Sequence, residues 1–221
     1  MVDLAQRATD PELLDTGVPE AEAVRSLGDL RFVNRWFGGR RSLLRAAEPF
    51  LGEARTLLDV GCGSADLTAL LLGASRTGTL AVGLDCKILH LRQAPPGVQC
   101  VVADVRHLPF SERSFDIVTA NLFLHHFDGD EASLLLRRLY ALARRVLIVN
   151  DLRRSLVAYL FGRTFFPLLF RSAVSVNDGL LSIRRAFTRD ELRTAFSDAG
   201  IPTIRLYGAF PYRLVAVAEK R

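Results

Sequence analysis

The chain has 221 residues, about half of them hydrophobic, and a net charge of +5; it is long enough for one α/β domain with a sizeable core and too short for two of typical size. No apolar run approaches the roughly 18 residues of a membrane helix, and residues 1–10 mix acids with Arg7, so a span and a signal peptide are both unexpected and a cytoplasmic protein is the default. The positive charge is dispersed arginine with only Lys87 and Lys220 as lysines, which argues against a nucleic-acid partner, and Cys62, Cys86 and Cys100 show no C-x-x-C spacing that would indicate a disulfide framework or zinc site.

Residues 1–19 carry Pro11, Gly17 and Pro19 and read as a poorly structured arm. From Glu20 to Phe50 apolar residues recur at helical spacing (Val24, Leu27, Leu30, Val33, Phe37, then Leu43, Leu44, Ala47), interrupted at Gly38-Gly39, so two joined helices are expected. Residues 1–50 thus form an N-terminal arm and helical cap, and 51–221 the main domain. There, a short strand runs into Asp59, and further strands are expected at 79–84, 98–102, 115–120 and 146–149. Helices at 67–73, at 88–94, and from Asp128 or Asp130 to about Ala143 lie between them. That alternation implies an α/β fold with a parallel, doubly wound sheet. Thr188 with Glu191 is a capping-box pattern opening a helix to Asp198. Strands at 203–207 and 212–217, separated by a short turn containing Pro211, can only make an antiparallel hairpin. Residues 151–187 are an insertion that the basic fold does not need.

Thr56 to Asp66 (Thr-Leu-Leu-Asp-Val-Gly-Cys-Gly-Ser-Ala-Asp) is a nucleotide-binding turn between strand and helix. Gly61 permits the bend, Gly63 lets backbone N–H groups approach a ligand, and the helix offers unpaired donors at its positive end. Ala65 falls two residues after Gly63, so the dinucleotide pattern is not matched. Asp59 would repel a pyrophosphate but suits a ligand ammonium. The next strand ends at Asp85, suited to both hydroxyls of a ribose, and the one after it at Asp104, placed to receive an adenine amino group. This ordered set, from Asp59 to about Asn121, resembles the class I S-adenosylmethionine-dependent methyltransferases, from which Ala65 departs where glycine is usual. The resemblance implies S-adenosyl-L-methionine as cofactor and a Rossmann-like, seven-stranded sheet with an antiparallel last strand. It places donor contacts at Asp59, Gly61, Cys62, Gly63, Asp85, Cys86, Asp104, Val105 and Asn121. In such enzymes the segment before the first strand closes over the donor, so Trp36 would cover the cofactor and Arg40 would meet its carboxylate. The other reading makes Trp36 a core anchor and leaves the arginines solvated.

The donor's methyl group is already activated, so the protein must align a nucleophile and, for a weak acid, remove its proton. The loop Asn121-Leu122-Phe123-Leu124-His125-His126-Phe127-Asp128 opens at the carboxyl end of the sheet, where ligands of such folds bind. His125 and His126 are the candidate bases, unranked; the alternative is that they only shape the pocket or tie down the loop. A bound metal is not expected, because Asn150-Asp151 supplies one set of oxygens but the other strand end offers Asn121 rather than an aspartate. Asp151 would bind a substrate hydroxyl or cap the next helix. The stretches 34–41, 150–155 and 184–192 look like bacterial methyltransferases of polyketide and quinone pathways. That likeness implies a small hydrophobic, phenolic or quinoid acceptor and O-methylation, with Asp151, Arg154, Phe165 and Phe166 toward the substrate. An RNA-directed modifier or a non-catalytic donor-binding protein on the same fold is the alternative. The insertion is apolar and aromatic, interrupted by arginines and broken by Pro167. It reads as a helical lid over the acceptor, with peripheral membrane or subunit contact through 152–172 as the rival.

Overall fold

The computed structural model describes residues 4–220, so the expectation for the first three residues of the arm lies outside them. Seven strands form one sheet in the order β3-β2-β1-β4-β5-β7-β6. They are β1 (Thr56–Val60), β2 (Leu80–Asp85), β3 (Gln99–Val102), β4 (Phe115–Asn121), β5 (Ala143–Leu152), β6 (Arg205–Ala209) and β7 (Arg213–Glu219). β1 to β5 pair in parallel, while β7 runs antiparallel to both β5 and β6. The doubly wound sheet with a reversed last strand is therefore the one expected.

Strand alternation decides which helix covers which face. Leu57, Ile117, Ile148 and Val217 point to α3 (Gly39–Leu51) and α4 (Asp66–Ala74), whereas Leu58, Val118, Leu147 and Ala216 point to α6 (Gly129–Leu142) and α9 (Arg189–Asp198). Both faces of the central strands are buried, which is why these strands read as continuous apolar runs. The expected box at Thr188 and Glu191 caps α9. Asp128 precedes α6 but makes no side-chain cap.

Before β1, α1 (Leu13–Thr16) is a single turn and α2 (Glu20–Trp36) a long helix leading into α3. The break between α2 and α3 needs glycine: Gly38 has φ of 79°, and a Cβ there would lie 2.2 Å from the Phe210 carbonyl oxygen. α5 (Ile88–Leu91) is short, as Pro95-Pro96 implies. The insertion folds as α7 (Leu156–Leu169) and α8 (Ala173–Arg185), each capped by a serine, Ser155 and Ser172. The pair closes tightly because the Phe166 ring sits over Gly162 and Gly179.

Two expectations are corrected here. The arm is not loose from residue 4 onward. Arg7 donates to the carbonyls of Arg185, His125 and Phe127 and lies 3.8 Å over the Phe187 ring, and the N–H groups of Leu13 and Leu14 donate to the Asp178 carboxylate on α8. Its turn-forming residues gave no hint of these partners, which lie far away in sequence. Arg154 is buried and turned from any substrate: its guanidinium pairs with Glu191 and donates to the carbonyls of Ala186, Leu4 and Ala5. It ties the start of the insertion to the first turn of α9 and to the arm. Arg154→Met keeps an unbranched apolar stem and removes the charge and donors. Chemical denaturation should show a loss of roughly 2–4 kcal/mol with affinity for S-adenosylmethionine retained, whereas unchanged stability would mean that this knot carries nothing.

Candidate active site

A cavity of about 440 Å³ opens at the carboxyl ends of β1, β2 and β4, within the usual size of small-molecule sites. Its floor is the turn after β1. Gly61, Gly63 and Ala65 all have left-handed φ values of 64°, 55° and 54°, and the Ala65 N–H closes the turn on the Cys62 carbonyl at 2.8 Å. Gly61 is indispensable: a Cβ there would lie 2.1 Å from the Phe123 ring. Gly63 is different, since its nearest neighbour would be Leu27 at 3.7 Å, leaving the space above the loop open for a ligand. Ala65 adopts the same region at a cost of about 1–2 kcal/mol for an L-residue, so the turn tolerates the missing glycine.

Carboxylates from successive strands converge on this end. Asp59 is buried and accepts from Thr119, Thr68 and Asn121 at 2.7, 2.8 and 2.8 Å. Burial nevertheless wins over these donors and pushes its pKa up to about 6, so a cationic ligand group beside it would restore full ionisation. Asp85 is buried and accepts from the Gly63 and Lys87 N–H groups at 2.9 and 2.8 Å, with His90 Nδ1 at 3.3 Å. Asp104 accepts from the Arg106 N–H at 2.8 Å and stays half-exposed at the rim. Cys62, Cys86 and Val105 complete the wall, and burial holds the Cys62 thiol protonated. These residues offer an ammonium partner, a pair of ribose acceptors and an apolar slot, so they fit S-adenosylmethionine.

Trp36 and Arg40 do not reach the cavity. α2 presents Leu27, Leu30, Val33 and Asn34 to it, a helical stripe that leaves Trp36 on the far side, 65% exposed beneath Arg35. Arg40 faces Asp66 at 3.9 Å instead. Neither the cover nor the core anchor expected of Trp36 is what the helix places there.

At the other end of the cavity two stacked imidazoles, whose centroids are 4.4 Å apart, lie among the carboxylates of Glu12, Asp15 and Asp151. His125 is buried, with Nδ1 2.7 Å from Asp151 and Nε2 3.3 Å from Glu12. Burial alone would lower its pKa, but the carboxylates on both sides outweigh burial and raise it to about 9. Burial likewise opposes ionisation of Asp151, yet His125 holds it down to about 2. Asp151 therefore lies behind His125 and off the cavity wall, and it neither binds substrate nor caps α7. His126 has Nδ1 2.8 Å from Asp15 and Nε2 3.9 Å from Glu12, and it faces the cavity. Ser182 fixes Glu12 at 2.6 Å. Arg7 and Arg185 clamp the carbonyls of His125, His126 and Phe127.

Among the described residues, Glu12, His125 and His126 are the one set whose ligand atoms, all within 4.8 Å of one another, could hold a metal. The oxygens considered for a metal in the sequence are otherwise engaged: Asn150 bonds Ser42, Gly39 and Asn121. Phe166 and Phe170 line the cavity, but Phe165 points outward, 42% exposed, against Phe161. Sequence reasoning missed Glu12, Asp15, Asp178, Ser182 and His90. The two arm acids carried no motif, and only the fold brings them to the histidines.

A family model described as a methyltransferase domain matches residues 58–148. An uncharacterized methyltransferase of Schizosaccharomyces pombe is 29% identical over 83 residues, which are 37% of this chain and 33% of that protein, so the match spans about a third of the relative's length. A SAM-dependent methyltransferase from Aquifex aeolicus aligns with TM-score 0.67 and 15% identity, covering 92% of this chain and 99% of that one. A putative O-methyltransferase from Nostoc punctiforme PCC 73102 aligns with TM-score 0.68 and 17% identity over 98% and 65%. The plantazolicin methyltransferase BpumL, in complex with SAH, aligns with TM-score 0.65 and 12% identity over 91% and 96%. At these identities the structures share the fold.

The raised pKa of Asp59 yields a pH signature. Protonation as pH falls through about 6 removes the charge that would meet a ligand ammonium, so calorimetric affinity for S-adenosylmethionine should be level above pH 7 and weaken by roughly tenfold or more toward pH 5. Asp59→Asn should bind weakly and flatten that dependence. An unchanged profile in the variant would detach Asp59 from the ligand.

Proposed function

We propose, from the premise that this chain carries a class I S-adenosylmethionine-dependent methyltransferase domain, that it transfers the donor's methyl group to an oxygen of a small hydrophobic acceptor, phenolic or quinoid. One observation carries the reading: a single cavity joins the Asp59, Asp85 and Asp104 end to a histidine–carboxylate cluster walled by Leu27, Leu30, Phe166 and Phe170. The bound donor supplies a methyl group that needs no further activation. Asp85 and Asp104 hold its nucleoside end, and Asp59 its amino-acid end. The apolar wall of Leu27, Leu30, Phe166 and Phe170 excludes water and orients the acceptor ring, which is the larger part of the rate advantage.

Geometry favours His126 over His125 as the base. His125 is flanked by carboxylates on both ring nitrogens and holds its proton well above neutral pH, so it has no lone pair to offer. His126 donates from Nδ1 to Asp15, which fixes the tautomer that leaves Nε2 as an acceptor at the cavity. With the donor bound, His126 Nε2 would take the phenol proton while the oxygen displaces the donor's sulfur from the methyl carbon. His125 and Asp151 position the loop. An O-acceptor is favoured by this base, and a quinol or resorcinol-like ring by the aromatic wall.

His126→Ala should lower turnover by about 10²- to 10⁴-fold, with donor affinity nearly intact, and an acceptor already ionised at the assay pH should recover most of that loss. A drop of less than tenfold would remove His126 as base. Absence of S-adenosylmethionine binding by the wild-type chain would favour a vestigial site over an enzyme.

A further inference from the structure

We propose that the outward face of α7 docks on an anionic lipid bilayer. α7 buries Ala158 and Gly162 and turns Phe166 toward the cavity. Its opposite side is apolar and uncovered: Leu156, Val157, Leu160 and Leu168 are 57%, 64%, 52% and 79% exposed, at spacings that put them on one helical face. Further apolar side chains are exposed at the end of α2 and in the turn between β6 and β7. Phe37 and Tyr212 both pack on Phe161, each at 5.7 Å, and next to them Trp36 is 65% and Phe210 91% exposed. An exposed apolar surface of this kind marks an interaction site.

Charge decides the occupant. Residues 152–177 contain no aspartate or glutamate, while Arg153, Arg163 and Arg171 are exposed around the apolar face. A second copy of the chain would set this arginine rim against itself, with no carboxylate in the segment to meet it. A bilayer bearing anionic headgroups supplies both complements, acyl chains for the leucines and phosphates for the guanidinium groups. Among the described residues no helix is long and apolar enough to cross a membrane, so α7 lies in the interface plane. The same helix lines the cavity through Phe166, which puts the lipid surface about one helix diameter, roughly 10 Å, from the acceptor end. The docking surface itself does not depend on methyl transfer.

The test is sedimentation of the full chain with phosphatidylcholine vesicles, with and without phosphatidylglycerol. The wild type should pellet with the anionic vesicles at least about tenfold more strongly than with the neutral ones, and added salt should weaken that binding. The double variant Leu160→Glu, Leu168→Glu should lose it while keeping wild-type circular dichroism and S-adenosylmethionine affinity. No pelleting with either vesicle, or equal pelleting of wild type and variant, overturns the proposal. So does a wild-type dimer in analytical ultracentrifugation that the double variant dissolves without any vesicle binding, because the face would then belong to a second copy.

Discussion

The histidine end of the cavity depends on one buried imidazolium. His125 sits between Asp151, at the end of β5 and hydrogen-bonded to Nδ1 at 2.7 Å, and Glu12, on the N-terminal arm and 3.3 Å from Nε2. A lone cation in so buried a place would be expelled, and two lone carboxylates would be neutralised; together they stay charged. The triad therefore links three parts of the chain that share no secondary structure: the arm, the loop after β4 and the last central strand. Once His125 is fixed, the stacked His126 is fixed too, and Asp15 arrives on the same turn as Glu12 to set its tautomer.

The donor half is built on different physics. Strand ends and a left-handed turn set Asp59, Asp85 and Asp104 by backbone geometry, and short hydrogen bonds hold the first two before any ligand arrives. Such preorganisation suits a cofactor of fixed shape. The histidine end instead uses additions to the sheet, an arm and an inserted helix pair, pinned by long-range charge contacts. Variation of those additions around a constant donor frame is how one fold accommodates many acceptors.

The sheet, its reversed last strand and most of its helices were legible in sequence because each rests on local periodicity or on a cap such as Thr188 with Glu191. The gathering of Asp59, Asp85 and Asp104 around one cavity was legible because their spacing is imposed by strand ends. The surroundings of the histidines were not. Asp151 and Arg154 were correctly placed at the ligand end of the sheet, yet their side chains serve His125 and Glu191. Phe165 and Phe166 are neighbours in sequence, and helical rotation alone sends one outward and one inward. Trp36 fails for the same reason, two residues beyond the stripe of α2 that faces the cavity. The arm looked unstructured because its partners, Asp178, Ser182 and His125, lie more than a hundred residues away.

The claim that the His125 imidazolium holds the arm in place has a direct test in pH-dependent hydrogen exchange of residues 12–16, corrected for intrinsic rate. The native pKa is raised from the unfolded value, near 6.5, to about 9, so the stabilisation is complete below pH 6.5 and is lost as pH rises through 9. Protection of the Leu13 and Leu14 amides should be strong at pH 6 and decline steeply between pH 8 and 10, and His125→Asn should lack it at pH 6 already. Protection that stays level across this range in the wild type, or survives the substitution, would contradict the account.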